Sequence, residues 1–261
     1  YSFRVHPSFL VCHFMLISSR AIISQSFSLY TKHLSLFLRA SLLLFLPSLL
    51  IVLSRVASIS LFQNGVVPVS LNVGIFFILF LFFSIIAIWY TLLLTRVVAA
   101  RYVGDNTTSI TTALKETRPL VFSAIGASIL ATLISIGGFF LFFIPGFIFS
   151  LWFIFALYAI AIDKQKAIAS LKTSKHLVQG RWWAVLWRFL VPLVLFVFLA
   201  FLVQTVLKFL VTSTLVGILP DTIAFIILSS LTYLTASLFA PFTTTAQTIL
   251  YLSLKQSASE S

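Results

Sequence analysis

Long runs of apolar positions alternate along this chain with shorter segments that collect most of its charged residues. A bilayer core of ~30 Å takes about 20 residues of helix to cross. Runs of roughly that length occupy 36–56, 73–95, 120–142, 146–162, 185–207 and 222–250. The pattern predicts an all-α polytopic membrane protein with six transmembrane helices in three hairpins. The fourth run is the shortest. It follows Pro145-Gly146 and closes at Asp163, which predicts a tight hairpin turn at Phe143-Ile144-Pro145-Gly146.

Three segments between the runs carry a helical period of their own. Ile23, Phe27, Tyr30 and Leu34 precede the first run; Ile110, Leu114, Thr117 and Val121 precede the third; Ala167, Leu171, Ser174 and Val178 precede the fifth. Each set falls on one helical face, which predicts a short interfacial amphipathic helix before each hairpin. Ala113-Leu114-Lys115-Glu116-Thr117 also echoes Ser170-Leu171-Lys172-Thr173-Ser174, as expected of a threefold internal repeat. Small residues in the third run, Ala124, Ser128, Ala131, Ser135 and Gly138, form a stripe that lets another helix approach closely.

Charge adds an orientation. With six crossings, Arg55 and Lys208 fall on one side, and the basic residues from Arg20 through Lys255 otherwise fall on the other. Short basic loops stay in the cytoplasm, so both termini are expected there, in a bacterial inner membrane. Arg39 and Arg55 leave too few residues between them to span, so one or both must reach back to an interface. Lys208 either ends the fifth helix or lies within a longer one. Pro220-Asp221 reads as the opening of the sixth.

Composition agrees with the class. Hydrophobic residues make up 61% of the chain and charged ones 8%, too little polar surface to cover a water-soluble core. The net charge of +12 points to anionic lipid headgroups and away from nucleic acid, because the basic residues sit at the ends of apolar runs. Residues 1–14 read as an upstream extension before Met15, with a short signal peptide as the rival reading, residues 15–254 as a single membrane domain and 255–261 as a cytoplasmic tail.

The candidate chemistry is sparse. Lys172, Lys175, His176, Arg181 and Arg188 surround Trp182, Trp183 and Trp187, an aromatic belt beside a basic surface. That cluster reads as headgroup anchoring or as a contact for an anionic lipid or an acidic partner segment. In the sixth run Ser230, Tyr233, Ser237, Ala240, Thr244, Gln247 and Tyr251 share a face, which reads as helix packing or as the lining of a transport path beside Pro241. No catalytic or metal-binding constellation is legible, and no cofactor is expected: the five acids are dispersed and no nucleophile or metal motif is present. The expectation is a membrane scaffold or lipid-associated module, with a protein partner or a second copy as further candidates and a lipid or small-molecule transporter as the alternative.

Ile144-Pro145-Gly146, then Ala169-Ser170-Leu171-Lys172-Thr173-Ser174 and Val178-Gln179-Gly180-Arg181-Trp182-Trp183, resemble the membrane domain associated with glycerophosphoryl diester phosphodiesterases, and related uncharacterised bacterial six-helix inner-membrane proteins. In that family the hydrolytic activity belongs to a separate soluble domain. No such domain follows Leu252 in this sequence, so the resemblance implies an all-helical membrane module and not the enzyme.

Overall fold

The computed structural model describes residues 17–63, 69–105, 107–215 and 218–259. The expectation for residues 1–14 lies outside them. Among the described residues the chain is helical, with no β-strand. In order the helices are α1 (Ser19–Lys32), α2 (Leu34–Gln63), α3 (Val69–Tyr102), α4 (Ile110–Thr117), α5 (Val121–Leu141), α6 (Phe143–Trp152), α7 (Ala156–Asp163), α8 (Ala167–Val178), α9 (Trp182–Leu215) and α10 (Asp221–Ser259). Arg118–Leu120 forms a 3-10 turn between α4 and α5.

Six helical stretches are long and apolar enough to cross a membrane: Leu34–Ser58, Val73–Tyr102, Ile110–Leu141, Phe143–Asp163, Trp182–Thr214 and Asp221–Ser259. The protein is therefore an all-α integral membrane protein. Pro47, Pro192 and Pro241 all lie inside continuous helices. The helix containing Lys208 runs on to Leu215, and Pro220 caps the start of α10 by accepting from the amides of Ile223 and Ala224 at 2.9 and 3.0 Å.

Short helices stand at all three places the periodicity marks. Ser18 caps α1 by accepting from the Ala21 amide at 3.2 Å, and Ser109 caps α4 by accepting from Thr112 at 3.2 Å. Their inward faces differ in part from the expected stripes. In α1 the buried residues are Ile22, Ser26 and Tyr30, while Phe27, and Leu34 at the start of α2, are exposed. Tyr30 stacks on Phe242 at 3.9 Å between ring centroids, and Phe27 lies 6.1 Å from the same ring. In α8 the stripe is buried more deeply than its small side chains suggest: Ser174 and Val178 are fully enclosed, as is Ser170. Helices α5, α6 and α7 all pack on α8, so protein contacts hold it and attachment to lipid by its lysines is not required.

The hairpin turn expected over residues 143–146 is displaced. Phe142 alone is extended, and Pro145 and Gly146 already lie in the first turn of α6. The Phe142 amide bonds back to Gly138 at 3.0 Å and closes α5. A β-carbon on Gly138 would lie 2.8 Å from the Gly146 α-carbon, so these two glycines let α5 and α6 meet backbone to backbone. Gly137, the neighbouring residue, has open space around it.

The chain divides into two compact units. One holds the described residues of 1–33, 91–193 and 242–261; the other holds 34–90 and 194–241. Within the second, Gln204 donates to Thr232 at 3.3 Å, and the Arg55 guanidinium lies 5.8 Å from the centre of the Phe76 ring. Its outward side chains, Phe77, Ile78, Phe80 and Phe201 among them, are large and apolar, as a lipid-facing surface requires.

Candidate functional site

The first unit carries most of the polar chemistry, and much of it serves helix ends. The fourth apolar stretch is broken between α6 and α7, where residues 153–155 leave helical hydrogen bonding incomplete. A break buried among apolar side chains must be satisfied by protein, because no solvent reaches it. Ser174 supplies it: its hydroxyl donates to the Trp152 carbonyl at 2.6 Å and accepts from the Phe155 amide at 3.1 Å. Ser174→Ala is expected to cost about 2 kcal/mol by leaving two backbone groups without a partner. Ser170 is as buried but bonds only the Ala167 carbonyl of its own helix, so Ser170→Ala should cost about 0.5 kcal/mol or less. Detergent-driven unfolding of the two variants checks the contrast.

The C-terminal end of α7 is gripped by an ionic cluster. Arg96, from α3, donates through Nη1 to the carbonyls of Ala161 and Ile162 at 3.1 and 3.3 Å, groups that the helix end leaves unpaired. Its Nε and Nη2 both reach Glu116 of α4, the former at 2.8 Å. Asp163 accepts from the Tyr251 hydroxyl at 2.7 Å and pairs with Lys255, which ties α7 to α10. The acids are dispersed along the chain, and the partners of Glu116 and Asp163 stand 20 or more residues from them, so the cluster is not visible in local spacing. Within the cluster Glu116 and Asp163 are each matched to a base, and Asp163 to a hydroxyl as well, so the cluster neutralises charge at the helix end.

The loop before α4 is built in the same way. Arg101 donates to the carbonyls of Asp105 and Thr108 at 2.6 and 2.9 Å. Asp105 accepts from the Thr107 amide and hydroxyl and from the Thr108 hydroxyl, bonds that hold its carboxyl down at about 2. A carboxylate bonded only when ionised stabilises the loop fully above its ordinary pKa of 3.8, and that contribution is lost as pH falls through about 2. The protection factor of the Thr107 amide should follow that course; a factor flat to the bottom of the acid range would contradict it.

The polar face expected on the sixth run serves packing where its bonds are resolved. Ser237 donates to Leu234 of its own helix at 2.8 Å. Tyr158 of α7 donates to Gln247, and Tyr251 is engaged with Asp163. Ser230 and Tyr233 are half-buried, and Thr244 is buried. The crevice lined by Arg188, Phe189, Thr243 and Gln247 leaves no room for a water molecule.

The expected basic and aromatic cluster separates into two groups. Arg181 donates to Leu177 O at 3.0 Å and to Ser257 Oγ at 2.8 Å, closing the end of α8 and joining it to α10. Arg188 donates to Ile17 O at 2.9 Å and to Ala184 O at 3.0 Å. Both arginines are therefore held by protein. Lys172 and His176 remain exposed on the outer face of α8, with Lys175 at its edge. The Lys175 ammonium sits 4.5 Å from the centre of the Trp152 ring, a cation–π contact that fixes its position. Trp182, Trp183 and Trp187 follow on α9, exposed and stacked edge to face at 5.1 and 5.9 Å between successive rings.

Among the described residues no group of three or more His, Cys, Asp or Glu side chains converges as a metal site would. No family model, curated protein or solved structure matches this chain.

Proposed function

We propose that this chain is a lipid-associated module of a bacterial inner membrane, of the kind that residues 144–190 resemble, with both termini in the cytoplasm. The carrying observation is the outer surface of α8 and the first turns of α9, successive in the chain, where Lys172 and His176 are exposed, Lys175 is half-buried and three tryptophans are exposed. Tryptophan prefers the headgroup level and lysine the anionic cytoplasmic leaflet, so together they favour one interface of one sign. The sidedness of the basic loops supports the same orientation. The module works by holding lipid and by scaffolding; Glu116 and Asp163 serve the end of α7.

The test is reconstitution of the full chain in nanodiscs of mixed phosphatidylglycerol and phosphatidylcholine, followed by native mass spectrometry of the lipid that leaves with the protein. Retained lipid enriched in phosphatidylglycerol over the bilayer supports the reading. Retained lipid that mirrors the bilayer contradicts it.

A further inference from the structure

On the outer side of α8 there is a groove of about 280 Å³. Its walls are Leu130 and Ile134 from α5, Phe153 at the break in the fourth stretch, and Ile168 from α8; Lys172 and Lys175 stand at its edge. The lining is almost wholly apolar, and the lysines bring its only charge. Leu130, Ile134 and Ile168 are themselves exposed, so the groove is open at the protein surface. Its size is close to the lower bound of ligand pockets, about 300–1,000 Å³, which suits a stretch of one acyl chain and not a whole lipid.

We infer that this groove is a binding site for a single anionic phospholipid, with one acyl chain along α5 and the phosphate between Lys172 and Lys175. The inference rests on the lipid-associated reading above and gives it an address. Charge complementarity selects the occupant. An apolar trough edged by two ammonium groups, with no acid at the edge, matches a molecule that is hydrocarbon at one end and anionic at the other. Lys175 is already held against Trp152, so less of its freedom is lost when a phosphate binds. Lys172 has no such restraint and adds its charge from the exposed face. The break at residues 153–155 turns Phe153 into the groove wall, and Ser174 keeps that break in place. The same serine that repairs the helix therefore shapes the site.

Arg181 is left unchanged in the test because it holds α8 to α10. The probe is phosphatidylglycerol against phosphatidylcholine in nanodiscs, read by native mass spectrometry on the full chain. The double variant K172Q/K175Q alters only side chains at the outer surface and edge of α8. It should weaken phosphatidylglycerol retention by about 30-fold, near fivefold for each lysine at an anionic surface. L130W, which fills the apolar end without touching charge, should also lower retention, and its unfolding midpoint shows whether the fold is intact. K164Q/K166Q, which removes basic charge outside the groove, should leave most of the preference. If K172Q/K175Q retains the preference while K164Q/K166Q loses it, the groove is overturned and the broader lipid-associated reading stands. If the unaltered chain shows no preference, both are overturned.

Discussion

Gly146→Val is expected to be among the most damaging single substitutions in this chain, lowering stability by about 3 kcal/mol or more. The β-carbon of any residue at 146 would lie 2.6 Å from the Phe139 backbone nitrogen and against the Phe139 ring. A side chain can rotate away, but the backbone of α5 cannot. The two helices would have to part at the turn, and the apolar contacts along α5 and α6 would loosen with them. Gly138→Ala should act in the same direction, since its β-carbon would lie 2.6 Å from Phe149 and 2.8 Å from the Gly146 α-carbon. Gly137→Ala is the matched control in the same helix, with nothing within reach, and should be neutral or slightly stabilising through helix propensity. Unfolding in mixed micelles measures all three. Equal effects at 137 and 146 would contradict the close crossing.

Glu116→Gln is expected to cost about 2 kcal/mol, between an exposed pair and a buried one, because Arg96 is enclosed while water reaches Glu116. The substitution leaves the Arg96 guanidinium, 16% exposed, with neutral acceptors alone: the two backbone carbonyls and the amide oxygen of the new glutamine. The loss is expected to surface as fraying of the C-terminal end of α7, which those carbonyls terminate. Lys164 is a poor substitute, since it stands 4.0 Å from Glu116, carries the same sign as Arg96 and is more than half exposed. The double variant R96M/E116Q should recover part of the loss, because it removes the uncompensated charge. A double variant no more stable than Glu116→Gln alone would show that the carbonyl contacts, not the ion pair, carry the stabilisation.

The features legible in the sequence are those written in local periodicity. Six apolar stretches and the three short helices α1, α4 and α8 follow from run length and helical spacing, both properties of neighbouring residues. The misread features depend on distant partners. The inward face of α1 keeps Tyr30, which stacks on Phe242 of α10, but continues through Ser26 and Ile22 instead of Phe27 and Ile23. The break after Trp152 has no proline or glycine to announce it. It exists because Ser174, 22 residues along the chain, completes the hydrogen bonding. The turn at Phe142 was hidden for the opposite reason: Pro145-Gly146 is a strong turn signal, but proline is also at home in the first turn of a helix. In the candidate site, the lysines and tryptophans could be read from composition, whereas the commitment of Arg181 and Arg188 to backbone carbonyls could not. The apolar groove was also invisible, since its walls come from α5, the break and α8.

The central claim is an integral membrane protein whose basic, tryptophan-flanked surface faces the cytoplasmic leaflet, and sidedness tests it most directly. Single cysteines placed in a Cys12→Ser background at Thr107, Ala169 and Gln256 should be shielded from a membrane-impermeant maleimide added outside intact cells. Cysteines at Phe142 and Ile218, both well exposed, should react. Labelling of Ala169 from outside, with Phe142 and Ile218 protected, would invert the orientation and remove the anionic leaflet from reach of Lys172 and Lys175.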